Sequence, residues 1–229
     1  MAMVLIFIYS SYRLYSYNKE RITSKKTAQN VVSENPSQQA APINVDFAKL
    51  KQENKDIIAW LYCEGTSVNY PVVQAEDNSY YLNHNVKKEY TSHGSIFMDY
   101  RNNTNDLEGN NNNVVLYGHR MKNKQMFGSL DKFSDKEYFN GKYPIAIILN
   151  DKEYYFEAFS SYVTSSDDNY INTSFDNKEE FDKFIQKIYN KSHTKLDTDI
   201  TSINNILTLS TCSYEFKDAR LVVHAKLIK

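Results

Sequence analysis

A chain of 229 residues, 41% hydrophobic and 24% charged, is long enough for one soluble domain with its own core, plus attachments. Lys+Arg 27 against Asp+Glu 28 leaves a formal charge of −1, without the basic excess that a nucleic-acid partner demands, so none is expected. The two cysteines, Cys63 and Cys212, exclude a disulfide scaffold, and no Cys/His cluster has zinc-ligand spacing, so neither metal nor other cofactor is expected. Gly 6 and Pro 4 exclude collagen-like and Gly/Pro-rich chains, while Tyr 19 and Phe 12 suit a β-rich fold.

Residues 2 to 9, Ala-Met-Val-Leu-Ile-Phe-Ile-Tyr, form the only strongly apolar block. The weakly charged stretch 1–17 is broken by Arg13 and falls short of the ~20 residues that span a bilayer. It also lacks the basic start and small-residue cleavage site of a signal peptide. It reads as the stub of a truncated signal-anchor, with a frayed N-terminus as the plainer alternative. Arg13, Lys19, Arg21, Lys25 and Lys26 follow the block, which by the positive-inside rule opposes an outward-facing domain. Residues 18–44 are polar and keep no helical or strand period, so they read as a flexible tether leading to a folded domain at 45–229.

Phe47, Leu50, Ile57, Ile58 and Leu61 predict an amphipathic helix that Asp46 caps and Gly65 ends. Runs of β-formers follow at Val68–Val73, Ser95–Tyr100, Asn113–Tyr117, Tyr143–Leu149, Tyr154–Val163, Ile206–Thr211 and Leu221–Ile228. Turn-formers separate most of them, as in a closed or nearly closed barrel. Between the fifth and sixth of these runs, Phe181, Phe184, Ile185 and Ile188 recur at helical spacing and predict a helix over Lys178–Lys191. The expected class is mostly β.

Chemistry concentrates in two stretches. Thr208-Leu209-Ser210-Thr211-Cys212 is a strand ending in a cysteine, and a short return leads to Arg220 at the start of the last strand. Paired, those strands set Cys212 and Arg220 at one end of a hairpin. A free thiol is only a few per cent thiolate at neutral pH, so a nearby base or cation matters. Arg220 cannot give up its proton; its natural task is to hold negative charge developing on a carbonyl oxygen. Val114-Val115-Leu116-Tyr117-Gly118-His119 is a second strand running out into glycine and imidazole, and His119 is the best general acid/base among the five histidines. His224 alternates in phase with Lys226 and is expected to face outward, and Cys63 fits a buried, inert cysteine. Taken singly, any of these histidines is as readily a surface or satisfied core residue.

The residues together resemble a sortase of class B. Thr208–Cys212 followed by Arg220 is similar to the TLxTC...R signature, and Tyr117-Gly118-His119-Arg120-Met121 to the segment carrying the family histidine. Trp60-Leu61, Gly65-Thr66, Tyr70–Gln74, Gly94–Arg101, Met126-Phe127 and Leu130 also match, so the likeness runs from about Phe47 to the C-terminus. Cys63 departs from the branched or basic residue of many relatives, and Ser213 from the acid that follows the cysteine in some.

The resemblance implies a closed eight-stranded barrel with N-terminal helices and a helix inserted between strands 6 and 7. It implies a cell-surface cysteine transpeptidase of mainly Gram-positive bacteria, held at the cell membrane by the N-terminal anchor with its catalytic domain extracellular. Its partners are secreted proteins bearing a C-terminal sorting signal, and a peptidoglycan precursor or cross-bridge amine. Cys212 becomes the nucleophile, His119 the acid/base and Arg220 the oxyanion and substrate-positioning group. Asn78, Leu82, Tyr117, Tyr170, Ile171 and Ser210 become substrate contacts; Tyr117 and Ser210 share strand phase with His119 and Cys212. Two other readings stay open: a cysteine endopeptidase using water, and a non-catalytic wall-binding β domain.

Overall fold

The computed structural model describes residues 6–15, 19, 32–34, 43–212 and 217–228, with 32–34, 43 and 212 as backbone only. Residues 6–15 form helix α1. At 1.5 Å per residue it is about 15 Å long, half of the ~30 Å hydrocarbon layer of a bilayer. Among the described residues no helix is long and apolar enough to cross a membrane. This corrects the single N-terminal anchor, and with it the membrane localisation and membrane partner drawn from the apolar block: Arg13 and two serines interrupt a stretch too short to span. Most of the expected tether lies outside the described residues. Within it, β1 (Val32–Glu34) pairs antiparallel with β2 (Ile43–Val45), Val32 opposite Val45.

Helix α2 (Phe47–Glu53) starts where the Asp46 carboxylate accepts the Lys49 N–H at 3.0 Å. Its Phe47 and Leu50 are buried, each worth roughly 1.5–3 kcal/mol. The helix stops sooner than its spacing predicts. Asn54 is extended, and its side chain holds Tyr81 Oη, Val86 O and the Asp56 N–H. The residues expected to prolong the helix form strand β3 (Ile57–Cys63) instead. Its side chains feed two cores, Leu61 and Cys63 the barrel interior and Ile57 and Trp60 the layer under α2.

The other strands are β4 (Asn69–Val73), β5 (Ile96–Met98), β6 (Asn112–Tyr117), β7 (Ile145–Ile148), β8 (Glu153–Ser165), β9 (Thr194–Lys195), β10 (Asn205–Cys212) and β11 (Ala219–Leu227). Helix α3 (Lys136–Asn140) precedes β7, and α4 (Lys178–Lys191) lies between β8 and β10, burying its predicted apolar face. Hydrogen bonding runs β11-β10-β6-β5-β4-β3-β7-β8, and β8 closes the ring by pairing with β11. That is a closed eight-stranded barrel, with β9 added beyond β7 on the same edge of β8. Leu116, Leu209 and Val223 pack inside it.

His224 corrects an expectation. It lies on the outer face, as its phase with Lys226 predicts, but has no exposed surface. Phe184 of α4 meets its ring edge-on at 6.4 Å, and Tyr162 and Phe159 flank it. Alternation alone could not foresee that the outer face of β11 is roofed at that height.

Candidate active site

Strand register brings the expected chemistry to one rim. β6 and β10 run parallel with Leu116 beside Leu209 and Tyr117 beside Ser210; His119 follows the end of β6 and Cys212 ends β10, each two residues beyond that last pair. β10 and β11 run antiparallel with Cys212 opposite Arg220. Adjacent strands lie about 4.8 Å apart, so Cys212 sits on the middle strand with the histidine's strand on one side and the arginine's on the other. The side chain of Cys212 lies outside the described residues.

A groove of about 300 Å³ opens at this rim. Its walls include His119, Arg220 and five of the six expected substrate contacts, Asn78, Leu82, Tyr117, Ile171 and Ser210. Phe97 and Thr211, not among the expected substrate contacts, also line it. Tyr170 does not. It is buried behind the wall, where its hydroxyl meets Ser210 Oγ at 2.9 Å and supports that side chain. Gly118 permits the tight approach of the histidine turn: a Cβ there would lie 2.4 Å from Ile96 Cδ1 and 2.9 Å from Phe127 Cδ2.

His119 Nε2 lies 2.6 Å from the Leu82 carbonyl oxygen. A carbonyl only accepts, so Nε2 carries the hydrogen, and in the neutral ring the lone pair is on Nδ1. Tyr117 donates its hydroxyl to Asp99 Oδ2 at 2.8 Å. Burial first, then the Asp99 charge, hold that phenol well above its ordinary pKa, so it stays protonated at neutral pH. Burial alone would push the Asp99 carboxyl up; donors from Arg101 and Tyr117 outweigh it, and the net shift is downward. Cys63 is fully buried inside the barrel, and burial drives its thiol far above the ordinary range. Among the described residues no three His, Cys, Asp or Glu side chains converge as a metal site.

The sortase domain model matches residues 61–228. This chain belongs to the sortase family. Members of the family are cysteine transpeptidases, and the relatives are sortases of class B. Sortase B of Staphylococcus aureus is 33% identical over 231 residues, covering 100% of this chain and 93% of that protein. The solved sortase B of B. anthracis superposes with a TM-score of 0.79 at 41% identity, covering 94% of this chain and 99% of that one. A Staphylococcus aureus sortase B–substrate complex superposes at 0.71 with 36% identity, covering 80% of this chain and 84% of that one. The eight-stranded ring with a helix between its sixth and seventh strands is thus the sortase B barrel.

Asp99, Arg101 and Asn113 were missed as site-supporting residues. Asp99 and Arg101 form an Asp-x-Arg pair in the turn after β5, where the Asn102 N–H meets the Asp99 carbonyl at 3.0 Å. Nothing local marks Asn113, whose partners stand 57 and 59 residues away.

Proposed function

We propose that this sortase cleaves a C-terminal sorting signal after Thr through a thioacyl-enzyme and transfers the acyl group to a peptidoglycan amine. The Cys212 thiolate attacks the Thr carbonyl carbon, and Arg220 donates hydrogen bonds to the resulting oxyanion. The C–N bond then breaks as His119 delivers a proton to the leaving nitrogen. In the second half the incoming amine attacks the thioester and gives its proton to His119, the C–S bond breaks, and the thiolate is regenerated. With Nε2 engaged by the Leu82 carbonyl, Nδ1 is the nitrogen that takes and returns the proton.

One observation supports this reading: the register sets Cys212 opposite Arg220, and Arg220 and His119 both line the groove that Thr211, the neighbour of Cys212, also lines. The likeness to a sortase B solved as a substrate complex supports a peptide as the groove's occupant. The test incubates sorting peptides with and without candidate amines and resolves the products by mass. Amine-dependent transfer that vanishes in Cys212→Ala is expected. Hydrolysis alone at high amine concentration would favour an endopeptidase, and full activity in Cys212→Ala would remove the thiol mechanism.

A further inference from the structure

The segment Gly94–Arg101 ends in Asp99-Tyr100-Arg101, and the transfer chemistry uses neither charged residue. Asp99 is fully buried. Its Oδ1 accepts the Arg101 backbone N–H at 3.0 Å and Nε at 2.9 Å. Its Oδ2 accepts from Arg101 Nη2 at 2.7 Å, Asn78 Nδ2 at 3.0 Å and the Tyr117 hydroxyl at 2.8 Å. The same Nη2 donates onward to the Ile171 carbonyl at 2.9 Å. One carboxylate thus ties together both walls of the groove. Asn78 and Tyr117 are held directly, and Ile171, on the connection between β8 and α4, is held through Arg101.

A second grip lies beside it. Asn113 Nδ2 donates to the carbonyls of Tyr170 at 3.2 Å and Asn172 at 2.9 Å. Three successive carbonyls, 170 to 172, are therefore held by side chains rooted in the barrel. A chain of donors fixes the Asn113 amide. Its oxygen accepts from Thr208 Oγ1 at 2.5 Å, Thr208 accepts from His224 Nδ1 at 2.8 Å, and His224 Nε2 accepts the Tyr162 hydroxyl at 3.1 Å. Every donor meets an acceptor in this direction. The reversed amide would set its oxygen against two carbonyls.

We propose that Arg101 and Asn113 are positioning residues that lock residues 170–172 against the barrel, so that the second wall of the groove is formed before a sorting peptide arrives. The proposal rests on the reading of the groove as the peptide site. A wall already ordered spares the peptide the cost of ordering it on binding, so loosening it weakens binding and leaves the thiol chemistry intact.

The test compares Arg101→Ala, Arg101→Lys and the charge-balanced pair Asp99→Asn/Arg101→Met. The double variant removes the grip on Ile171 without leaving a buried carboxylate alone, which guards against simple unfolding. Losing one charge-assisted hydrogen bond to the wall is expected to raise KM for the sorting peptide about tenfold, with kcat within about twofold of wild type. Amide exchange at residues 170–174 is expected to speed up in step. Arg101→Lys restores melting temperature but not KM, because an ammonium cannot span both carboxylate oxygens and the Ile171 carbonyl. A fall in kcat at constant KM, unchanged exchange at 170–174, or full KM rescue by lysine would overturn the proposal. Absence of Cys212-dependent transfer in the wild type would instead refute the functional reading, and the exchange measurement alone would then decide the loop grip.

Discussion

Arg220 reaches the groove from the first turn of pairing in β11, with Nη1 donating to the Ala219 carbonyl at 3.1 Å. That bond ties the guanidinium to its own strand. In the proposed mechanism this guanidinium serves the oxyanion formed beside Cys212, and donors fixed before the charge develops are worth most. A lysine would keep the charge and lose the plane. Arg220→Lys and Arg220→Ala are both expected to lower peptide turnover by about 10²-fold or more, with the lysine variant within about tenfold of alanine. Near-wild-type turnover in the lysine variant would refute a geometric role. Cys212, His119 and Arg220, the residues proposed to react, stood out in the sequence because each sits at or just beyond a strand end within a contiguous motif. The supporting roles of Arg101 and Asn113 did not, since what they hold is backbone carbonyl oxygen, which carries no side-chain identity and lies some 57 to 70 residues along the chain.

At the level of elements, the short 3-10 turn Tyr80–Leu82 decides where His119 points, because its last carbonyl receives Nε2. Gly94 packs underneath. Its φ is +56°, and a Cβ there would lie 2.5 Å from the Leu82 oxygen and 2.6 Å from the Tyr81 oxygen, both backbone atoms that cannot swing aside. Gly94→Ala therefore combines a left-handed backbone with a clash, an expected loss of about 1–3 kcal/mol. It should also displace the Leu82 carbonyl and lower kcat more than it raises KM. Thermal melts and peptide turnover check both halves, and an alanine variant matching wild type in each would show that the turn does not orient the histidine. Element type was read correctly for seven of the barrel strands and for α4, where turn residues or a clean helical period bound the run. It failed at β3. The burial of β3 on nearly every residue erases the alternation that marks a strand, and Ile57, Ile58 and Leu61 then fall in helical phase with Phe47 and Leu50.

For the molecule as a whole, closure of the barrel passes through the β8–β11 pairing, whose register shifts between His224 and Ala225. The folded protein keeps His224 neutral there. Burial pushes its pKa down to about 3, and the charge of Asp168 offsets this only in part. Asp168 is itself engaged with Lys187 and Lys191. In the unfolded chain the imidazole titrates near 6.5. Between those two values only the unfolded state binds the proton, so stability is full above about pH 6.5 and falls as pH drops through that window. From pH 7 to pH 5 the loss comes to about 2 kcal/mol, or a fall of roughly 4–8 °C in Tm for a domain of this size. Asp99, with its pKa lowered, acts in a separate window: its contribution is present above about pH 4 and is lost below it. Melting curves at pH 7 and pH 5 therefore leave Asp99 out, and the comparison with a variant singles out His224 from the other histidines. His224→Gln, which cannot titrate, is expected to flatten the difference whatever its own stability. A wild-type Tm that does not move over that range, or a glutamine variant that keeps the full slope, would rule out a neutral histidine at the seam of the barrel.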